Sequence, residues 1–301
     1  MSFSFYLIDF YTCLRYNIFI IIIGRYSMFF DTHTHTKHSC DSQKEPEDAV
    51  IHAIKNGLSG ISITDHSDLR LFVPYNIPVE LPASGRDADS LADKYKGQVE
   101  VFSGIEISDA AIPKYRDRLE KAFNFYDYDI LLASAHIVDL DGRECEFSST
   151  DFSNFDMHTL KRLLDIYFEY LLITIYENDF STLCHLTYPL RYINGIYSKG
   201  IGIDENIRKI EDIFKVIIDK KTALEINTAK CTFENPSAFC PERELLELYI
   251  SLGGRMFTLG SDSHIAGSEG RCFKEAAGFL KNRGINGCYY FKNKKPVYYE
   301  I

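Results

Sequence analysis

The sequence predicts an α/β barrel, and three observations carry that prediction. Strand-like and helix-like stretches alternate from residue 28 almost to the end of the chain, as they do where parallel strands are joined by helical crossovers. Of the first seven strands drawn below, six end in His, Asp or Glu. In a barrel all strand ends converge on one face, whereas in an open sheet the outer strands end far from the switch point. The length of 301 residues also accommodates one such barrel.

The first strand, 28–33, runs into Asp31-Thr32-His33-Thr34-His35. The strand period of two puts Asp31, His33 and His35 on one face, so the two imidazoles can grip one ion. Asp31 then either orients a metal-bound imidazole or serves the strand itself. Helix 46–56 has Pro46 at its start, Ala49, Val50, Ala53 and Ile54 at helical spacing, and Gly57 as its stop. Strand 60–64 leads into Asp65-His66 and is followed by a loop with Pro74, Pro78 and Pro82, then helical stretch 87–96. Strand 99–105 delivers Glu106; helix 114–123 and strand 129–135 deliver His136. The longest helical signal, 158–176, has Leu160, Leu163, Leu164, Tyr167, Leu171 and Leu172 on a broad apolar face. Short strand 181–184 precedes His185, and Cys184, as a strand neighbour, is expected to point the other way. Helix 205–219, strand 222–226 and helix 241–252, closed by Gly253-Gly254, come next. Strand 255–259 opens into Gly260-Ser261-Asp262-Ser263-His264, and helix 271–282 and strand 287–291 complete the chain.

Composition narrows the partners. An apolar share of 46% without low-complexity tracts supports a packed core. A net charge of −10 disfavours a nucleic-acid backbone, though a small anionic substrate is compatible with it once metal ions reverse the local potential. The eight cysteines include no Cys-x-x-Cys pair and read as reduced thiols of a cytoplasmic protein. Residues 1–27 hold an apolar run at 18–23, but Asp9, Arg15 and Asn17 leave the segment short of the roughly 20 apolar residues of a spanning helix. No signal-peptide pattern is clear. This segment is read as an appendage, with a weak membrane anchor as the competing reading. Residues 28–301 are read as a single barrel domain with no expected membrane contact, and the oligomeric state stays open.

Of nine histidines, six (His33, His35, His66, His136, His185 and His264) fall at or just past strand ends. His38, His52 and His158 do not. With Asp41, Glu106 and Asp262 they supply nine nitrogen- or oxygen-donor side chains, which suits two or three divalent ions better than one tetrahedral zinc. Such a cluster can activate water and stabilise both oxygens of a phosphoryl transfer. No nucleophile elbow, Walker loop or Rossmann fingerprint competes.

These motifs, Asp31-Thr32-His33-Thr34-His35, Thr64-Asp65-His66, Gly104-Ile105-Glu106, Ser134-Ala135-His136, Cys184-His185 and Gly260-Ser261-Asp262-Ser263-His264, resemble in order those of the PHP (polymerase and histidinol phosphatase) superfamily. The resemblance runs from residue 28 to about 291 and implies a distorted (β/α)7 TIM-like barrel with a trinuclear metal centre. It implies that His33, His35, Glu106 and Asp262 hold the first ion, that Glu106 bridges to a second held by His136 and His185, and that Asp41, His66 and His264 hold the third. Zinc, manganese or iron would serve.

Within the superfamily the chain resembles the stand-alone histidinol-phosphatases of histidine biosynthesis. The resemblance rests on its length, the long insert between His66 and Glu106, the run from His185 through Pro189 and Arg191, and Leu224-Glu225-Ile226-Asn227-Thr228-Ala229. Thr187 departs from the acidic residue related sequences tend to carry there. The implied reaction is hydrolysis of a small phosphorylated metabolite, histidinol phosphate, by a metal-bridging hydroxide, with His33, His35, Glu106, Asp262 and His264 at the reacting centre. Arg191 is the first candidate to grip the phosphate and Arg271 the second, since a guanidinium fork matches phosphate oxygens. A surface arginine paired with a carboxylate is the alternative for Arg191. Asp139, Asp141 and Glu225 are available for the cationic end. Two rivals stand: the same chemistry on a nucleotide or phosphotyrosine, and a non-catalytic binding module stabilised by its metals.

Overall fold

A computed structural model describes residues 28–71 and 80–301. The expectations for residues 1–27 and for the loop at Pro74 and Pro78 lie outside the described residues. In chain order the elements are β1 (Phe30–Thr34), α1 (Pro46–Lys55), β2 (Gly60–Ile63), β3 (His66–Asp68), α2 (Glu80–Lys94), β4 (Glu100–Ser108), α3 (Arg116–Asn124), β5 (Ile130–Ser134), β6 (Ile137–Leu140), β7 (Arg143–Glu146), α4 (Met157–Glu177), β8 (Thr182–Leu183), α5 (Tyr188–Ile193), α6 (Ile207–Lys220), β9 (Ala223–Asn227), α7 (Arg243–Ser251), β10 (Phe257–Gly260), α8 (Phe273–Lys281), β11 (Gly287–Lys292) and β12 (Lys295–Glu300).

Seven parallel strands form the wall in the order β1-β2-β4-β5-β8-β9-β10, with β3 paired in addition to the second half of β4. The two edge strands meet: Asp262 N donates to His33 O at 2.8 Å, His35 N donates to Ser263 O at 3.0 Å, and Thr34 bridges Ser263 in parallel. The sheet is thus a nearly closed seven-stranded barrel, as the strand-end histidines predict.

Period-two alternation sorts the side chains. Ile105 and Ile107 on β4, and Leu224 and Ile226 on β9, join the apolar layer under the helices. Glu106 and Glu225, between them, enter the barrel and are fully buried. A smaller cluster of Ile130, Leu132, Cys184, Ala223 and Phe291 packs separately. Phe291 comes from the β11–β12 hairpin, whose turn residues Asn293 and Lys294 donate their N–H groups to Asp129 at the start of β5. That hairpin therefore plugs the barrel at the end opposite the histidines. At Gly104, where β4 passes from β2 to β5, a Cβ would collide with Ile130 and Thr64.

Several elements differ from the sequence reading. β4 continues three residues beyond 105, so Glu106 lies inside a strand and not at its end. α2 begins at Glu80, and Pro82 lies in its first turn, where the missing N–H costs nothing. The hairpins β6–β7 and β11–β12 and the six-residue helix α5 were not anticipated. Among the described residues no helix is long and apolar enough to cross a membrane.

The loops at the open end are clamped by a buried ion pair. Lys44 Nζ lies 2.8 Å from Glu269 Oε1, and it also donates to Ser263 O at 2.8 Å and Ser263 Oγ at 2.9 Å. Glu269 Oε2 accepts from Gly267 N. Removing one partner strands a desolvated charge, so Glu269→Gln is expected to lower unfolding stability by about 3–5 kcal/mol, read from urea titration of the metal-free protein.

Candidate metal centre

Apart from Glu106, which lies within β4, each candidate ligand comes from a strand end or the loop that follows, and the nine converge. His33 Nε2 and His35 Nε2 lie 3.0 Å apart, and each is 3.5 Å from Glu106 Oε2. Asp262 Oδ1 is 3.8 Å from the first and 3.4 Å from the second. Ligand atoms about 2.0–2.1 Å from a tetrahedral ion lie about 3.3 Å from one another, so this spacing fits one ion. The other Glu106 oxygen, Oε1, is 3.1 Å from His136 Nε2 and 2.8 Å from His185 Nε2, a second group. Asp41 Oδ2 lies 3.5 Å from His66 Nε2 and 3.2 Å from His264 Nε2, a third. Burial grades across them. Glu106 and His33 are fully buried, while the His264 side chain is 26% and Asp41 53% exposed, so the centre opens to solvent on the Asp41–His264 side.

Hydrogen bonding fixes which imidazole nitrogen faces inward. His33 Nδ1 is 2.6 Å from Glu225 Oε1 and donates to it. His35 Nδ1 is 3.0 Å from Ser39 Oγ, whose own O–H goes to Asp65, so Ser39 accepts the His35 proton. With both rings neutral, as metal ligands must be, the two Nε2 atoms present lone pairs to each other at 3.0 Å. Two lone pairs at that distance repel, and a cation in the shared space turns both into ligands. His264 Nδ1 likewise donates to its neighbour's carbonyl, Asp262 O, at 2.9 Å, which leaves Nε2 for Asp41. Glu106 Oε2 and His66 Nδ1 approach to 2.8 Å without lining up as a hydrogen bond, which leaves Glu106 Oε2 a buried acceptor that a cation would satisfy.

The electrostatics agree with a cation site. Burial alone would neutralise Glu106, yet His136, His66 and His33 hold its carboxyl well below the usual range. Against its burial, Asp262 is held low by His33, His35 and Arg191. His136, despite burial, is pushed up to about 10 by Glu106 and Asp68. His35 goes the other way: burial and the charges of His66 and His264 keep it well below its ordinary value.

A ring of carboxylates that sequence reasoning did not single out supports the ligands. Asp68 Oδ1 is 3.2 Å from His136 Nδ1 and accepts from Ser108 Oγ. Asp109 Oδ1 accepts the backbone N–H of His136 and of Ile137. Asp65 takes Thr36 N, Thr36 Oγ1, Ser39 Oγ and Ser84 Oγ, anchoring the loop that carries Asp41. Such partners orient metal-bound imidazoles. Their one sequence signal is place: Asp65 and Asp68 flank His66.

Other sequence expectations fare as follows. Asp31 accepts from Ser261 N at 3.0 Å and Gly270 N at 2.9 Å, so it ties the loop after β10 to β1 and orients no imidazole. Cys184 does not point away from the candidate ligands. Its buried thiol groups with His33 and Glu225, because His185 has φ +24°, which ends the strand alternation and lets both residues face inward. Arg191 is largely buried, with Nη1 3.0 Å from Asp262 Oδ2 and Nη2 3.1 Å from Asn227 Oδ1. Arg271 is exposed and donates to Ala229 O, linking two loops. Asp139 accepts from Gly142 N within the β6–β7 turn and Asp141 pairs with Arg162. Glu225 is engaged with His33. The seven described cysteines are free.

A sequence model of the PHP domain matches residues 31–229. The histidinol-phosphatase of Lactococcus lactis is 28% identical over 89% of this chain and 98% of its own. A probable histidinol-phosphatase of Clostridium acetobutylicum is 30% identical over 91% of this chain and 97% of its own. Among solved structures, the Lactococcus lactis histidinol phosphate phosphatase in complex with zinc, L-histidinol and phosphate superposes with a TM-score of 0.71, at 26% identity over 89% of this chain and 98% of that one.

Asp65→Ala would leave four donors without their acceptor. It is expected to cost at least about 3 kcal/mol of stability and to lower the metal content of the purified protein by releasing the loop that carries Asp41, measured by urea unfolding and elemental analysis.

Proposed function

The chain belongs to the PHP-domain family, and from that premise we propose that it is a histidinol-phosphatase, hydrolysing L-histidinol phosphate to L-histidinol and phosphate in histidine biosynthesis. One observation carries the catalytic part of this reading: the two oxygens of Glu106 each face a separate pair of histidine Nε2 atoms. A carboxylate so placed bridges two ions, as phosphoryl transfer uses them, whereas a purely structural site is closed around one ion by its own ligands. The similarity to Lactococcus lactis histidinol-phosphatase along nearly its whole length supports the substrate.

In this reading His33, His35, Glu106 and Asp262 hold the first ion, Glu106, His136 and His185 the second, and Asp41, His66 and His264 the third. Divalent ions such as zinc, manganese or iron supply positive charge to the phosphoryl oxygens and lower the pKa of an attacking water towards neutrality. The protein's part is to fix those ligands and to admit substrate from the Asp41–His264 side, where exposure is greatest. Arg191 brings a guanidinium to within 3.0 Å of Asp262 at the edge of the centre, and we assign it to the phosphate. Its donors also neutralise the outer oxygen of Asp262, leaving Oδ1 to the ion. Residues 28–301 form one metallophosphatase barrel acting in the cytoplasm, a placement that the free cysteines support.

Phosphate release is to be measured across a panel of phosphomonoesters with zinc, manganese and iron. Histidinol phosphate is expected to be the best substrate, activity should vanish on chelation and return with added ion, and His33→Ala and Asp262→Asn should each lower kcat by more than the roughly 100-fold cost of losing an outer-shell partner. Turnover of nucleotides or phosphotyrosine alone would reject the substrate. No release with any ion would reject catalysis.

A further inference from the structure

Glu225 touches the candidate metal centre from behind and at more than one point. It stands on β9 between two residues that face the helices, so its carboxylate enters the barrel, fully buried. Oε1 is the acceptor for His33 Nδ1 at 2.6 Å, which commits Nε2 of that imidazole to the first ion group. Oε2 accepts the backbone N–H of His185 at 2.8 Å, the residue that enters the second ion group through a left-handed φ. Oε2 also accepts from Asn227 Nδ2 at 3.1 Å, and the same amide donates to Asp262 Oδ2 at 3.3 Å while its oxygen accepts from Arg191. Two ligands of the first group and one of the second therefore hang from a single carboxylate.

The neighbouring strand makes room for it. A Cβ at Gly260, the last residue of β10, would collide with Glu225 Oε1 and lie 2.8 Å from His33 Cβ. No residue with a side chain can occupy that position while Glu225 holds His33.

We infer that Glu225 is a positioning residue that couples the first and second ion sites, and that Gly260 is the gap that admits it. The inference rests on reading those two groups as metal sites. An amide cannot replace the carboxylate: glutamine offers one acceptor oxygen, and its NH2 would face either His33 Nδ1–H or the His185 N–H. Asp68 provides the contrast, because its carboxylate meets an imidazole of the second group alone among the ligands of the first two.

Metal-free protein is titrated with zinc by calorimetry, with bound zinc counted at each plateau and folding checked by circular dichroism. Glu225→Gln is expected to weaken both the first and the second ion by about 10–100-fold, while Asp68→Asn leaves the first ion unchanged. Gly260→Ala should reproduce the Glu225→Gln result, and the double variant should bind no more weakly than the worse single one. A loss confined to one ion in Glu225→Gln, or a Gly260→Ala protein with both affinities intact, would overturn the coupling. If Glu225→Gln does not fold, Gly260→Ala and nitrogen NMR of the loaded parent decide: a His33 proton on Nε2 instead of Nδ1 rejects the role. A parent protein that takes up fewer than two ions rejects the metal-centre reading itself, which is a different result.

Discussion

A carboxylate with no solvent exposure, Glu106, lies among five imidazoles. Taking such a group out of water costs several kcal/mol unless positive charge meets it. That requirement governs the upper half of the barrel. Strand ends from around the wall deliver a nitrogen to one or other oxygen of the same residue, and the strand carrying it is the longest of the barrel strands. Each oxygen has its own imidazole neighbours, so the two halves of the site meet on one side chain.

Around this pair of oxygens the protein places a second tier of acids. Glu225, Asp68, Asp109 and Asp65 each take N–H or O–H groups from the ligand residues or the loops beside them. They are buried as well, and burial raises Asp109 to about 6 with Asp68 adding to the rise. A site with this many acids in a low-dielectric setting is one whose natural complement is divalent cations.

Much of this was legible in the sequence because strands betray themselves by period. Leu-Glu-Ile-Asn at 224–227 alternates apolar and polar residues, and the structure sends the first set to the helices and the second into the barrel. The six candidate histidines were read at or just past strand ends, and the structure brings them together there. What escaped depends on contacts far apart in the chain. Asp31 could not be seen to bind Ser261 and Gly270, some 230 residues away in sequence. Cys184 was misplaced because alternation fails where His185 turns left-handed. One miss was avoidable: Asp141-Gly142, with φ of +56° and +83°, is a hairpin turn of the kind that Asp-Gly favours. The turn at Asn293-Lys294 adopts the same left-handed pair without a glycine and gives a weaker signal.

β1 and β10 are joined by backbone hydrogen bonds of His33, His35, Asp262 and Ser263, three of which are also candidate ligands. The cylinder is therefore riveted shut at the place where the ions are proposed to sit. Ligand binding adds to folding free energy in proportion to the logarithm of ion concentration over its dissociation constant. On that proposal the resistance of this barrel to opening along its seam rises with the supply of divalent metal, and starvation for metal would loosen the wall as well as silence the site.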